Sequence, residues 1–153
     1  MYMRYLKERF RLAVIEGDVE TDKDARRLDK YGVTIALINT SGACHLESVS
    51  IEKAFTALDM DNLDLIFIEN VGNLVCPAEF DVGEDAKVAV LSTPEGDDKP
   101  MKYPLLFREA NIIILNKMDL VEHVDFNLSS FYSDIKKLNA DLPVIETSCK
   151  TNL

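Results

Sequence analysis

Ile112-Ile113-Ile114-Leu115 leads directly into Asn116-Lys117-Met118-Asp119. The apolar run has the length and composition of a buried parallel strand. An N-K-x-D tetrapeptide at its carboxyl end falls where open α/β sheets bind ligands, and its residue types suit guanine. The Asp119 carboxylate can accept two parallel hydrogen bonds, from the ring N1–H and the exocyclic amine. Adenine offers no matching donor pair. With the wrong base a buried charge would stay unpaired, at a cost on the order of several kcal/mol. Asn116 can brace the loop, and the Lys117 stem can lie across the purine face. The plainer alternative is a polar turn after a strand.

A second set of residues suits metal. Gly42-Ala43-Cys44-His45 follows one apolar run, and Val75-Cys76-Pro77 follows another by a short loop. Cys44, His45 and Cys76 are soft and borderline ligands that together suit zinc or nickel. Three ligands leave an open position, or two chains share a site across a two-fold axis. The competing reading makes Cys44 and Cys76 small buried residues and His45 a surface histidine. Cys149 reads as structural, and His123 is alone and exposed.

Two acidic stretches complete the inventory. Glu16-Gly17-Asp18-Val19-Glu20-Thr21-Asp22 follows the first apolar run. Carboxylates such as Asp18 and Asp22 at a strand-to-helix turn can hold Mg²⁺ through waters or respond to a γ-phosphate. A solvated acidic helix start, favoured by the helix dipole, has the same composition. Leu65-Ile66-Phe67-Ile68-Glu69 has the form of a Walker-B-like strand ending in a carboxylate. Glu69 can sit near Mg²⁺ or the attacking water, and Gly72 lets backbone approach a γ-phosphate.

These residues need a scaffold that gathers strand ends. The pattern predicts strands over 11–16, 33–38, 63–68, 86–91, 112–115 and 144–145. Helices are expected over 1–9, 21–31, 47–58 and 126–138. Thr21 caps the second helix and Gly32 ends it. Apolar strands alternating with helices mean an α/β fold, a mostly parallel sheet covered on both faces. The 153 residues, 47% hydrophobic, suffice for one core and show no repeat or linker, so a single domain over 1–153 is expected. The net charge of −10 argues against a nucleic-acid partner. No apolar run approaches the roughly 18 residues of a membrane span. The charged residues 1–10 do not read as a signal peptide. Three widely spaced cysteines fit a reducing cytoplasm.

A glycine-rich G-x-x-x-x-G-K-[ST] phosphate loop is absent from this sequence. Residues 1–10 look like the back half of the helix that follows such a loop. Glu146-Thr147-Ser148-Cys149-Lys150-Thr151 resembles the loop that packs beside a guanine ring, with Ser148, Cys149 and Lys150 as its contacts. The chain is therefore expected to be the middle and late part of a longer protein, truncated at both ends.

The motifs 17–25, 39–46, 69–77 and 116–119, with Glu84-Asp85-Ala86 and residues 95–104, together resemble the HypB-type hydrogenase maturation GTPases of the SIMIBI class. The resemblance covers nearly the whole chain. The Cys-His and E-N-V-G-N-L-V-C-P motifs are its most specific parts. It implies a three-layer P-loop NTPase fold, here without its first strand and phosphate loop. It implies GTP/GDP and Mg²⁺ as ligands, and a homodimer promoted by GTP and metal. Cys44, His45 and Cys76 of each chain would hold Ni²⁺ or Zn²⁺ at the dimer interface. The implied partners are a hydrogenase large subunit and other nickel-maturation factors. GTP hydrolysis is implied for the parent protein and not expected of a chain without the loop. The urease-maturation relative UreG shares the fold but differs at Cys44-His45 and at 69–77. A non-hydrolysing metal-binding or interaction module is the alternative of a different class.

Overall fold

The computed structural model describes residues 5–18, 32–40 and 42–151, with Asp18 described in its backbone only. The expected helix over 21–31 and the candidate Asp22 lie outside the described residues. The chain divides into two compact units, Met1–Gly83 and Glu84–Leu153.

In the first unit, β1 (Leu12–Asp18), β2 (Thr34–Asn39) and β3 (Leu65–Glu69) form a parallel sheet in the order β2-β1-β3. The central β1 is buried along 12–17, on both of its faces. That is why its sequence reads Leu-Ala-Val-Ile without alternation. Ala13 and Ile15 face a core with Leu46, Ile51, Ala54 and Leu58, built around helix α1 (Ser48–Phe55). Leu12 and Val14, on the opposite face, pack with Val33, Leu6 and Phe67. A single helical turn, α2 (Cys76–Glu79), follows β3, with Pro77 in its first turn, where the missing N–H costs nothing.

In the second unit, β4 (Val88–Ser92), β5 (Ile112–Asn116) and β6 (Val144–Glu146) form a parallel sheet in the order β4-β5-β6. Ala89, Leu91, Ile113 and Leu115 are buried on one face. Helices α3 (Lys99–Lys102), α4 (Pro104–Glu109) and α5 (Leu128–Leu138) belong to this unit, and they bury Phe107, Phe131 and Ile135. Asn127 caps α5 by accepting a hydrogen bond from the Ser130 N–H at 3.0 Å. Tyr132 on α5 donates to Glu146 on β6 at 2.6 Å. Partial burial, then that carboxylate, pushes the phenol up to about 12.

The six expected strands are all present and every pairing is parallel. Their hydrogen bonding differs from the expectation of one sheet: the strands fall into two sheets of three. The expected strands also stop short. Each observed strand runs on into a polar residue, namely Asp18, Asn39, Glu69, Ser92, Asn116 or Glu146. An apolar pattern ends where the core ends, whereas the backbone ladder continues past it. The expected helix over 47–58 contracts to Ser48–Phe55. Of the helix expected over 1–9, the described part is helical only at Tyr5 and Leu6 before a turn. Helices α3 and α4 had no periodic signal, being one to two turns long and each opened by a proline.

Candidate functional site

Cys44 and His45 sit in the loop between β2 and α1, and Cys76 opens α2. The fold brings them together: one ligand atom from each lies within 4.8 Å of the others. Cys44 Sγ is 3.5 Å from His45 Nδ1. Around one tetrahedral ion with bonds of 2.0–2.3 Å, such atoms are roughly 3.3–3.8 Å apart. Small side-chain rotations cover the difference, and two sulfurs with one imidazole suit a borderline-soft cation. The three cysteines are free thiols, with Cys44 exposed and Cys76 partly buried. The hydrogen bond with Cys44, then desolvation, holds the Cys76 thiol above its ordinary value. The Cys76 thiol must release its proton to bind a metal as thiolate.

The surroundings of these three residues are ordered by asparagines. Asn70 Oδ1 accepts from the backbone N–H groups of Leu46 and Val71, both at 2.9 Å. Asn73 Oδ1 accepts from the N–H of Val75 at 3.0 Å and of Cys76 at 2.9 Å. Asn73 Nδ2 donates to the Cys44 carbonyl. The His45 ring stacks on Phe80, centroids 3.9 Å apart and 6° from parallel. Leu46 is buried against Gly17, where an added Cβ would meet its side chain at 2.7 Å.

The acidic candidates lie at strand ends. Asp18 ends β1, paired in register with Asn39. Glu69 ends β3 and is exposed, in register with Glu16 of β1. Glu16 is 2% exposed, a buried carboxylate inside an apolar strand. Its place in Leu-Ala-Val-Ile-Glu was the available signal. Gly72 has open space where a Cβ would be.

The guanine-type loop is built within the second unit. β5 ends at Asn116, and Lys117 turns the chain in the left-handed region at φ 61°, ψ 38°. Lys117 alone among the described non-glycine residues has positive φ. Such a conformation costs a bulky residue about 1–2 kcal/mol. It is held from several sides. Asn116 Oδ1 accepts from the Lys117 N–H at 2.8 Å and from Thr147 Oγ at 3.3 Å. The Lys117 carbonyl accepts from the buried Thr93 hydroxyl at 2.9 Å. Asp119 Oδ1 accepts from Ser148 Oγ at 2.5 Å. Ser148 is 1% exposed, and its oxygen also accepts from the N–H groups of Lys150 and Thr151 at 3.3 and 3.2 Å. Cys149 and Lys150 are exposed on this loop. Cys149 is therefore not a core cysteine, which corrects its reading as structural. The loop 147–151 thus buttresses the very carboxylate the sequence singled out. Thr93 and Phe80 escaped sequence reasoning, and Asn70 and Asn73 entered it only within the motif 69–77, because their roles depend on partners far along the chain.

Residues 2–146 match the family described as CobW/HypB/UreG, nucleotide-binding domain. The hydrogenase maturation factor HypB of Azotobacter chroococcum mcd 1 is 48% identical over 140 residues, covering 92% of this chain and 46% of that protein. The hydrogenase/urease maturation factor HypB of Helicobacter hepaticus is 46% identical over 145 residues, 92% of this chain and 60% of its own. The chain spans about half the length of the curated relatives it matches. Among solved structures, HypB from Helicobacter pylori in complex with nickel superposes with a TM-score of 0.90 at 42% identity, covering 97% of this chain and 70% of that one. HypB from Archaeoglobus fulgidus gives 0.86 at 35% identity, covering 97% and 74%. The parallel α/β architecture, the Cys44–His45–Cys76 cluster and these similarities agree: the chain belongs to the CobW/HypB/UreG nucleotide-binding domain family, among its HypB hydrogenase maturation factors.

Proposed function

We propose that this chain is the guanine-nucleotide and metal-binding part of a GTP-dependent nickel-delivery factor for [NiFe]-hydrogenase. The observation that carries the reading is the convergence of Cys44, His45 and Cys76 from two separate loops. The nickel complex of the H. pylori relative supports it. Nickel is the cargo here, with zinc an alternative occupant of the same donor set. Asp119, braced by Ser148, would accept the two guanine donors, with Asn116 and Lys117 shaping the loop and Cys149 and Lys150 flanking it. Asp18, Asp22 and Glu69 would serve Mg²⁺ and the attacking water, and Gly72 would give room for the γ-phosphate. In this reading residues 1–153 form one GTPase domain of the three-layer P-loop type.

GTP hydrolysis by the whole protein would switch a homodimer between states of different metal affinity. Reciprocal linkage then requires metal and GTP each to favour the dimer. The partners would be the hydrogenase large subunit and fellow nickel-maturation factors, in the cytoplasm. Among the described residues no helix is long and apolar enough to cross a membrane.

The test is metal content by elemental analysis beside GDP titration on one preparation. Cys44→Ala with Cys76→Ala should remove one equivalent of nickel or zinc and leave GDP affinity unchanged. A double variant that keeps that equivalent, with any amino-terminal cysteine cluster also removed, would make the two residues ordinary cysteines.

A further inference from the structure

The two halves of the metal cluster come from loops with no covalent proximity. Cys44-His45 precedes α1, whereas Cys76 begins α2. Something must fix one loop against the other before a single ion can take both sulfurs. Two asparagines span the gap: Asn70 joins Leu46 to Val71, and Asn73 reaches the residues that carry the sulfurs. Asn73 accepts the N–H groups of Val75 and Cys76 on its oxygen and donates its amide nitrogen to the Cys44 carbonyl. The partners fix which way the amide points: two donors demand the oxygen, and a carbonyl demands the nitrogen. All of these contacts are to backbone, so the side chain reaches both ligand-bearing segments while leaving the ligand atoms themselves free.

We propose that Asn73 is the positioning residue of the metal centre, setting the Cys44 loop against the Cys76 turn so that both thiolates face one ion. This rests on the reading of Cys44, His45 and Cys76 as metal ligands. Few other side chains fit the geometry. Serine can accept the two N–H groups but is too short to bridge. Aspartate has no donor for the Cys44 carbonyl. Glutamine adds a methylene that separates the two contacts. Partners that orient metal ligands typically contribute 10–100-fold to affinity.

The experiment uses the full-length protein with Co²⁺ as the probe, titrated against a chromophoric chelator. Affinity and the thiolate-to-cobalt charge-transfer band per bound ion are read together. Asn73→Ala should weaken Co²⁺ roughly 10–100-fold and lower the band toward that of Cys44→Ala. Asn73→Ser keeps the turn-capping oxygen and loses the bridge, so it should fall with Asn73→Ala. A purely structural cap predicts the opposite, an Asn73→Ser protein with wild-type affinity and band, and that result would overturn the proposal. GDP titration of each variant serves as the folding control. Should Asn73→Ala fail to fold, Asn73→Ser alone decides. If wild type and Cys44→Ala bind Co²⁺ alike, the ligand assignment itself fails. If Cys44→Ala loses the band while both Asn73 variants keep it, only the role of Asn73 fails.

Discussion

Asp119 and Lys117 show how a four-residue loop is held ready for the proposed guanine contact. Lys117 sits in a backbone conformation that only its surroundings sustain, with Asn116, Thr93 and Thr147 arranged around it. Ser148 gives its one hydroxyl proton to Asp119 and takes two N–H groups on its oxygen. The carboxylate is thereby oriented in advance, which would lower the ordering cost of the proposed base binding. Asp119→Asn should weaken GTP and GDP together by about 1–3 kcal/mol, roughly fivefold to 150-fold, read by calorimetric titration of the full-length protein. Ser148→Ala leaves the acceptor in place and removes only its support, so its effect should be the smaller of the two. Equal GDP affinity in wild type and Asp119→Asn would remove Asp119 from the site. At this scale the sequence was informative about Asn116, Asp119, Cys44 and His45, because their types alone restrict the chemistry. It held Asn73 only within the motif 69–77 and gave it no role, because that role comes from a carbonyl 29 positions away.

Strand ends and the loops that leave them carry the next level. Every strand ends in a polar residue whose backbone still pairs with a neighbour. Chemistry at such a position is placed by a rigid ladder and released from the core at the same point. That explains why six strands were recognisable from apolar runs while most of their last residues, Glu69 excepted, were not. α1 had an apolar face and was found. α3 and α4 are too short for periodicity and become helical through proline-opened turns and burial of Pro100, Leu106 and Phe107. The contact of β1 with the metal loop yields a prediction at this scale. Leu46 directly follows His45, is 1% exposed, and rests on Gly17 next to Asp18. A methyl group at Gly17 would meet three Leu46 side-chain atoms at 2.7–2.8 Å. Gly17→Ala should therefore displace Leu46 and destabilise the fold by about 1–3 kcal/mol, the usual range for overpacking. Chemical denaturation measures it. The double variant Gly17→Ala with Leu46→Ala should recover part of the loss, since the second change empties the space the first one fills. Simple additivity of the two losses would show that the contact is not the cause.

Charge and apolar surface oppose each other across the whole molecule. The net charge of −10 keeps copies apart at long range. Yet β4 presents Val88 at 46% and Val90 at 58% exposure, and the same sheet face carries Ile145 at 49%. β4 is an outer strand of its sheet among the described residues. Apolar surface on an unpaired parallel edge is an association hazard. Electrostatic repulsion is screened within about 10 Å at 0.1 M salt, whereas apolar contact is not weakened by it. The 153-residue chain on its own should therefore self-associate increasingly as salt is raised, in the presence of chelator and without nucleotide. Light scattering coupled to size exclusion gives the mass directly. Lysine at both exposed valines, Val88→Lys with Val90→Lys, should hold the chain monomeric at the same salt, because a charged edge resists pairing. The chelator separates this behaviour from the proposed metal-promoted dimerisation, which would need Cys44, His45 and Cys76 loaded. A wild-type chain that stays monomeric through the salt series would show that the β4 face does not drive association.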